Sequence, residues 1–516
     1  MVKSMNVAWW VERWAQLHSD KPAVVYRDSQ LSYSQLHARA DAAACWMQSV
    51  GIEKGDRVAV LLDNCLEFIE LYLACARLGA IFVPFNFRLA PPEIDYLLGN
   101  CRPRLFVFKD SLAHKLAPLD LMGYQPPLSV AVVGEGLESG SLRRYGREVT
   151  DFEGQSPFLT SSLAPADPEE PQVIMYTSGT TGHPKGAVLT YLKTFFNCLN
   201  AAIFFQMGFD DVMLVILPLF HSGGLFIQST PCLYQGGTLI LHPRFDAQRA
   251  YEDIARHQVS KFLGVPTVFR ALLKVPQKKR RSVASLKVCA IGGEQVTPEL
   301  LEQCKAAGFW PRQIMGQTET SILLWASEQE SLMKPGTVGR PVFHAEVRLL
   351  GEDGRPVRQP GQVGEIVVRG PVVMKEYWRD PVRTDYALKG GWLHTGDLAR
   401  QDEDGYYYLV GRYRDMFISG GENVYPAEVE RVLQGHPAVE EAAVVGEPHE
   451  VWGEVGRAFV IPRAGEVVAE EELIAFCRAQ LASYKVPRLV TLCTEFPRTP
   501  LGKVRKFLLL EENRLA

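Results

Sequence analysis

No apolar run in this 516-residue chain is long enough to span a bilayer. The opening segment, MVKSMNVAWWVERWAQL, has charges inside its apolar pattern and lacks the continuous apolar stretch of a secretory leader, so it reads as a short amphipathic helix. The last four residues, Asn513-Arg514-Leu515-Ala516, carry no prenylation or peroxisomal signal. The ten cysteines are scattered, without a CxxC pair or Cys/His zinc spacing. Cys75 and Cys289 fall in apolar runs and read as small core residues. A reducing, cytoplasmic location is the expectation. The formal net charge is only −4, and the densest basic run, Lys278-Lys279-Arg280-Arg281, reads as a solvated loop. A nucleic-acid partner is therefore not expected. No repeat of fixed period is visible. The Walker A spacing GxxxxGK[ST] is absent, so any phosphate loop must be of another kind.

What is present is a globular composition in a chain too long for one ordinary core. A large domain and a smaller one are expected. Short β-type runs alternate with helical patterns. Val58 to Leu62 reads as a strand and Leu66 to Leu78 as a helix ending at Gly79. Extended runs follow at Phe82–Pro84, Met213–Leu217, Thr238–Leu241, Phe262–Val265 and Lys287–Ile291, with helices between. That alternation predicts layered, parallel-type α/β sheets. After Pro341 the strands shorten, as at Gly364–Arg369. The last hundred residues form a separate α+β unit with helices over Ala427–Leu433 and Glu471–Leu481 and strands over Glu441–Val445 and Ala458–Ile461. The boundary is placed at Tyr413-Arg414, giving residues 1–412, a hinge at 413–414, and 415–516.

Tyr176 to Gly186 reads YTSGTTGHPKG. It follows the β-branched run Val173-Ile174-Met175 and precedes a helical pattern from about Thr190 to Phe205. Strand, glycine-rich loop and helix together let backbone N–H groups wrap polyphosphate oxygens. The hydroxyls of Thr177, Ser178, Thr180 and Thr181 add donors between Gly179 and Gly182, and one can reach a phosphate-bound Mg²⁺. Further motifs are PLFHSGGL (218–225), GGE (292–294), MGQTET (315–320), GWLHTGD (391–397), GRYRDMFISGGENVYPAEVE (411–430) and PRTPLGKVRK (497–506).

In order and spread, these motifs resemble the adenylate-forming superfamily of acyl-CoA synthetases, firefly-luciferase-like enzymes and peptide-synthetase adenylation domains. Within it the chain looks most like bacterial fatty-acid–CoA ligases. The resemblance implies a large multi-subdomain N-terminal domain and a small mobile C-terminal one, swinging about Arg414. It also implies two half-reactions, with ATP, Mg²⁺ and coenzyme A taking part. A carboxylate attacks the α-phosphorus of ATP and pyrophosphate leaves; a thiol then takes the acyl group. The acid is already ionised at neutral pH, its pKa resembling the ~4.3 of glutamate. Catalysis therefore needs positive charge and positioned donors rather than a base.

By resemblance, Lys185 and Lys503 supply charge, with Lys503 serving adenylation. Glu319 and Thr181 hold the metal. Gly292, Gly293, Glu294, Met315, Gly316, Gln317 and Thr318 line the nucleotide site, Asp397 takes the ribose hydroxyls and Arg412 contacts the ribose. Met315 departs from the aromatic ring that relatives usually stack on adenine. His221, Gly223, Gly224, Leu225, Val265, Gly293 and Ile322 form the acyl pocket, whose glycines leave room for substrate. No charge appears in those segments, so an apolar acyl chain is expected, with Arg270 the one cation that could contradict it. Gly420 and Gly421 line a pantetheine tunnel, and Trp452 contacts coenzyme A. The reading is an ATP-dependent synthetase for a medium- or long-chain fatty acid. Its rivals are an aryl-acid–CoA ligase, a fatty-acyl–AMP ligase serving a carrier protein, a luciferase-type monooxygenase, and a non-catalytic acyl- or nucleotide-binding protein. A homodimer and peripheral membrane contact are left open.

Overall fold

The computed structural model describes the chain apart from residues 1, 122, 125–127, 135–142, 155–166, 178–182, 294–295, 297, 352, 413–416, 498–503, 505, 507–508 and 511–516. It divides into two compact units. The first comprises Met1–Phe87, Leu98–Met175 and Gly186–Gly411; the second comprises Arg88–Leu97, Tyr176–Lys185 and Arg412–Ala516. The domain boundary and hinge expected at 413–414 lie outside the described residues.

The first unit is layered α/β. One nine-stranded sheet has at its centre the parallel strands Pro311–Gln317, Val288–Gly292, Lys261–Gly264, Val212–Val215 and Thr238–Leu241, in that spatial order. Antiparallel strands extend it beyond Pro311–Gln317 through Ser321–Ala326 to Arg340–Pro341. A second sheet, of eight strands, includes the parallel run Ile81–Pro84, Arg57–Leu61, Leu105–Lys109 and Ser129–Val133. The helix Leu66–Leu78 is buried from Phe68 to its end, so no polar face is presented to water. It stops at Gly79, whose φ of 70° is the left-handed cap the sequence predicts. A four-stranded sheet follows, over Glu346–Leu350, Val363–Arg369, Leu393–Gln401 and Tyr407–Arg412. The N-terminal helix Val7–Leu17 buries Val7, Ala8, Trp10 and Val11 in the main core.

The second unit carries a five-stranded sheet in which Val439–His449 and Gly453–Pro462 form a long antiparallel pair. The helices Pro426–Gln434 and Glu470–Gln480 bury Val429, Leu433, Leu473 and Cys477 in its own core. Nine of the ten cysteines are buried, Cys75 and Cys289 among them. Lys278, Lys279 and Arg281 are exposed, as expected of a solvated loop.

The helix Tyr191–Phe205 begins where the sequence places it, with the Thr190 side chain as N-cap accepting Lys193 N–H; the sequence did not show that Lys185–Thr190 forms a strand between the glycine-rich loop and that helix. Ala187, Val188 and Leu189 are all buried, and the strand lies beside Pro171–Thr177 in the eight-stranded sheet. The apolar run is thus spent on a sheet layer. The helix N-terminus therefore stands a strand's length beyond Lys185.

Candidate active site

The nine-stranded sheet collects the first unit's candidate residues at one edge. Strands Val212–Val215, Lys261–Gly264, Val288–Gly292 and Pro311–Gln317 run parallel, so their C-terminal ends lie together. After them come His221, Val265, Gly293 and Thr318 respectively. Ligands of open α/β sheets bind outside the carboxyl ends of the strands, where loops can diverge.

Each loop is shaped by identifiable contacts. The turn before His221 is pinned by buried Asn64, whose Nδ2 donates to Leu217 O (3.0 Å) and whose Oδ1 accepts from Leu219 N–H (2.8 Å). His221 is half-buried with its ring against Phe220 (4.4 Å between centroids), and Phe220 meets Phe87 edge-on. Gly224 is not spare room for substrate: a Cβ there would lie 2.3 Å from Pro218 O. It is a packing glycine at the start of the π-helical segment Gly223–Ser229. Gly223 is half-buried and Leu225 buried in the same segment. Gly293 has a φ of +85°, and a Cβ on it would come 3.3 Å from Val265 Cγ1, so these two expected pocket residues are neighbours. Gly292 has no room either, its Cβ position lying 2.1 Å from Ile314 O.

Glu319 is 4 % exposed at the tip of the Pro311–Gln317/Ser321–Ala326 hairpin. Tyr377 donates its hydroxyl to Glu319 Oε1 at 2.8 Å, and Met374 N–H donates to Glu319 O at 2.8 Å. The carboxylate is therefore held in one direction. Gly316 makes the hairpin possible, since a Cβ there would fall 1.7 Å from Ser321 O. Met315 is buried within the same strand, opposite Leu324, and Gln317 and Thr318 are half-buried. Ile322 is fully buried.

Asp397 is 3 % exposed on the strand Leu393–Gln401. Its N–H donates to Thr395 Oγ1 (3.1 Å), and Gly396, at a φ of 75°, donates N–H to Glu365 Oε1 (3.0 Å). Glu365, absent from the sequence reading, also holds His394 Nδ1 at 2.7 Å and so braces the whole Asp397 turn. Arg412 lies in the strand Tyr407–Arg412. Arg270 sits half-buried on the helix Pro266–Lys274, its Nη1 buried and without a hydrogen-bond partner among the described residues.

Sequence reasoning missed Lys193. It is 1 % exposed on the helix Tyr191–Phe205, and its Nζ donates to Ser321 Oγ at 2.7 Å. Ser222 Oγ lies 3.4 Å from the same hydroxyl, and the Phe226 ring centroid is 5.8 Å from Nζ. Burial pushes the ammonium down to about 7, against the attraction of Glu319. Lysine inside the apolar pattern YLKTFF could have been flagged in the sequence, because position 193 lies on the face that carries buried Asn197 one turn on.

In the second unit, the Thr177 hydroxyl donates to Lys185 O at 3.4 Å, across the neck of the glycine-rich loop. Ser178, Gly179, Thr180, Thr181 and Gly182 lie outside the described residues, as do Glu294, Arg414 and Lys503. Gly420 and Gly421 have φ values of 58° and 81°. Gly420 N–H donates to Trp452 O (2.9 Å), and a Cβ on Gly420 would come 2.6 Å from the Trp452 ring. Trp452 is 40 % exposed, so its ring covers the glycine on one side and meets solvent on the other.

With the site laid out, its relatives can be compared. Residues 11–378 match the AMP-binding enzyme family and residues 428–503 match the AMP-binding enzyme C-terminal domain. This chain belongs to the AMP-binding enzymes of the adenylate-forming superfamily. It is 37 % identical to indoleacetate–CoA ligase of Aromatoleum aromaticum, covering 97 % of both chains. It is 34 % identical to the long-chain-fatty-acid–CoA ligase FadD13 of Mycobacterium tuberculosis, covering 98 % of both. Among solved structures, o-succinylbenzoate CoA synthetase from Bacillus subtilis matches with a TM-score of 0.84 at 30 % identity, over 97 % of this chain and 98 % of that one. The relatives are mixed in the acids their names carry, so the expected closeness to fatty-acid ligases is not what sets this AMP-binding enzyme apart. It is an acid–thiol ligase. Among the described residues, no helix is long and apolar enough to cross a membrane.

Proposed function

We propose that this ligase activates an aromatic or aryl-alkanoic carboxylic acid with ATP, releases pyrophosphate, and passes the acyl group to coenzyme A. The observation that carries the aromatic reading is the polar cluster Lys193–Ser321–Ser222, set between Glu319 and the His221 loop. A plain alkyl chain has nothing to offer buried polar groups, and leaving them unpaired is costly. The relatives named for indoleacetate and o-succinylbenzoate favour the same side.

In the first step a carboxylate oxygen of the acid bonds to the α-phosphorus as the bond to pyrophosphate breaks. Both partners are anionic, so the loop around Lys185 and the lysine at 503 hold opposite charge against them. Glu319 fits a magnesium site: it is buried, oriented by Tyr377, and leaves Oε2 outside that bond. Mg²⁺ takes one or two carboxylates and completes its shell with phosphate and water, so a single buried glutamate suffices. Glu319 and Thr181 would hold it, and when bound it supplies charge to the phosphate oxygens. Asp397 accepts from the ribose hydroxyls, Arg412 contacts the ribose, and Met315 packs its thioether against the base. In the second step the coenzyme A sulfur attacks the acyl carbon and AMP leaves, with Gly420, Gly421 and Trp452 flanking the pantetheine arm. By this reading, residues 1–412 form the nucleotide- and acyl-binding domain, and 415–516 the mobile domain hinged at Arg414.

Pyrophosphate release should be measured with MgATP and a panel holding cinnamate, phenylacetate, octanoate, palmitate and malonate, then thioester formation with coenzyme A. The highest kcat/KM is expected for an aromatic acid. Octanoate or palmitate ahead of every aromatic acid would restore the fatty-acid reading. Malonate ahead would point to Arg270.

A further inference from the structure

Three lysines are buried among the described residues: Lys193, Lys261 and Lys485. Two have carboxylate partners. Lys261 Nζ is 3.5 Å from Asp211 Oδ2, and Lys485 Nζ is 2.8 Å from Glu428 Oε1. That is the ordinary condition of a buried ammonium, because an isolated charge is expensive to desolvate. Lys193 is the exception. Its Nζ has Ser321 Oγ as hydrogen-bond partner and no carboxylate within 4 Å among the described residues, although it is as deeply buried as the other two. An ammonium has three donor hydrogens. One goes to Ser321, and the Phe226 ring at 5.8 Å lends only weak cation–π support.

The surroundings identify what is missing. Ser321 adjoins Ile322, and Ser222 adjoins His221, both assigned to the acyl site. Ser222 Oγ points to within 3.4 Å of Ser321 Oγ, so two hydroxyls and the ammonium form one polar spot. Asn197, one turn further along the same helix, is 1 % exposed, and its Oδ1 has no partner among the described residues, while its Nδ2 is taken by Phe226 O. The helix therefore presents a short buried polar stripe where an alkyl-binding wall would be apolar.

We propose that Lys193, backed by Ser222 and Ser321, is a specificity-determining residue that binds an oxygen acceptor on the acid substrate away from its reacting carboxylate. The substrate class is an aromatic acid with a ring hydroxyl, methoxyl or carbonyl oxygen. The inference rests on the aromatic-acid reading above and sharpens it. A second carboxylate offers the same acceptor chemistry, and the test separates it from a neutral oxygen.

The test is a ratio. For wild type and Lys193→Met, kcat/KM is measured by pyrophosphate release for 4-hydroxycinnamate, 4-carboxycinnamate and cinnamate. Wild type should favour one oxygen-bearing acid over cinnamate by about tenfold or more, the scale of a hydrogen bond to a charged group. Which one leads identifies the oxygen as phenolic or carboxylate. In Lys193→Met that ratio should fall close to one, mainly through KM. Ser222→Ala, which leaves the lysine in place, should reduce the ratio partway and serves if Lys193→Met fails to fold. An unchanged ratio in the variants overturns the proposal, whatever happens to overall rate. Equal loss on all three acids would place Lys193 at the reacting carboxylate or in a purely structural role. If wild type turns over none of these acids while using octanoate, the aromatic reading itself has failed, which is a separate outcome.

Discussion

Glu319 is buried and accepts the Tyr377 hydroxyl at 2.8 Å, which fixes the direction of its carboxylate. Replacing it with Gln keeps the shape and removes the charge. Glu319→Gln should lower adenylation by about a hundredfold or more, read as pyrophosphate release, with only partial rescue by excess Mg²⁺. A wild-type rate would remove Glu319 from the metal assignment. Lys193 makes a different prediction. Its ammonium ionises at about 7 in the folded protein, against 10.5 for an exposed lysine. Below pH 7 both folded and unfolded chains hold the proton, and the folded one bears the full cost of a buried charge. Between about 7 and 10.5 the folded chain has shed the proton and the unfolded chain has not, so this lysine's penalty is relieved as pH rises. The melting-temperature gain of Lys193→Met over wild type should therefore be larger at pH 6 than at pH 9. A difference that is flat or grows with pH would contradict the buried-ammonium account.

At the scale of elements, the Pro311–Gln317/Ser321–Ala326 hairpin is where packing and function meet. It turns in three residues, delivers Glu319 at its tip, and leaves Ser321 at a φ of 58° facing Lys193. Gly316 is its enabling residue, because backbone already occupies the place a side chain would take. Gly316→Ala should cost about 1–3 kcal/mol of stability, the range for overpacking, measured by the urea midpoint. Adenylation should fall with it, since the same strain displaces Glu319. A glycine assigned to a ligand site can thus be one that the fold itself requires. Gly224, expected to leave room for substrate, is likewise packed on Pro218 O, whereas Gly293 at +85° abuts Val265, the other residue expected in that pocket. Past the glycine-rich loop, the strand Lys185–Thr190 was not legible in the sequence: Ala187, Val188 and Leu189 are too few apolar residues to show a period, and only the neighbouring strands turn them into sheet.

The whole molecule is two units, each with its own core, and the proposed half-reactions draw on different segments of the second. Lys503→Ala should cripple acyl-AMP formation while still converting supplied acyl-AMP and coenzyme A. Gly420→Ala should do the reverse, because its methyl would push into the Trp452 ring. Assaying the half-reactions separately on both variants, with a thermal melt to confirm folding, decides it; loss of both steps in equal proportion would refute the division of labour. The family and the alternation of strands and helices could be read from the sequence, because they rest on local pattern and on residues close together in the chain. Helix Leu66–Leu78 could be read to the residue, since a glycine cap marks its end. Which distant residues share a space is settled by packing alone. Lys193 and Ser321 are 128 positions apart and meet at 2.7 Å. Burial that changes a lysine's chemistry is a property of everything packed around it, and no window of sequence contains that.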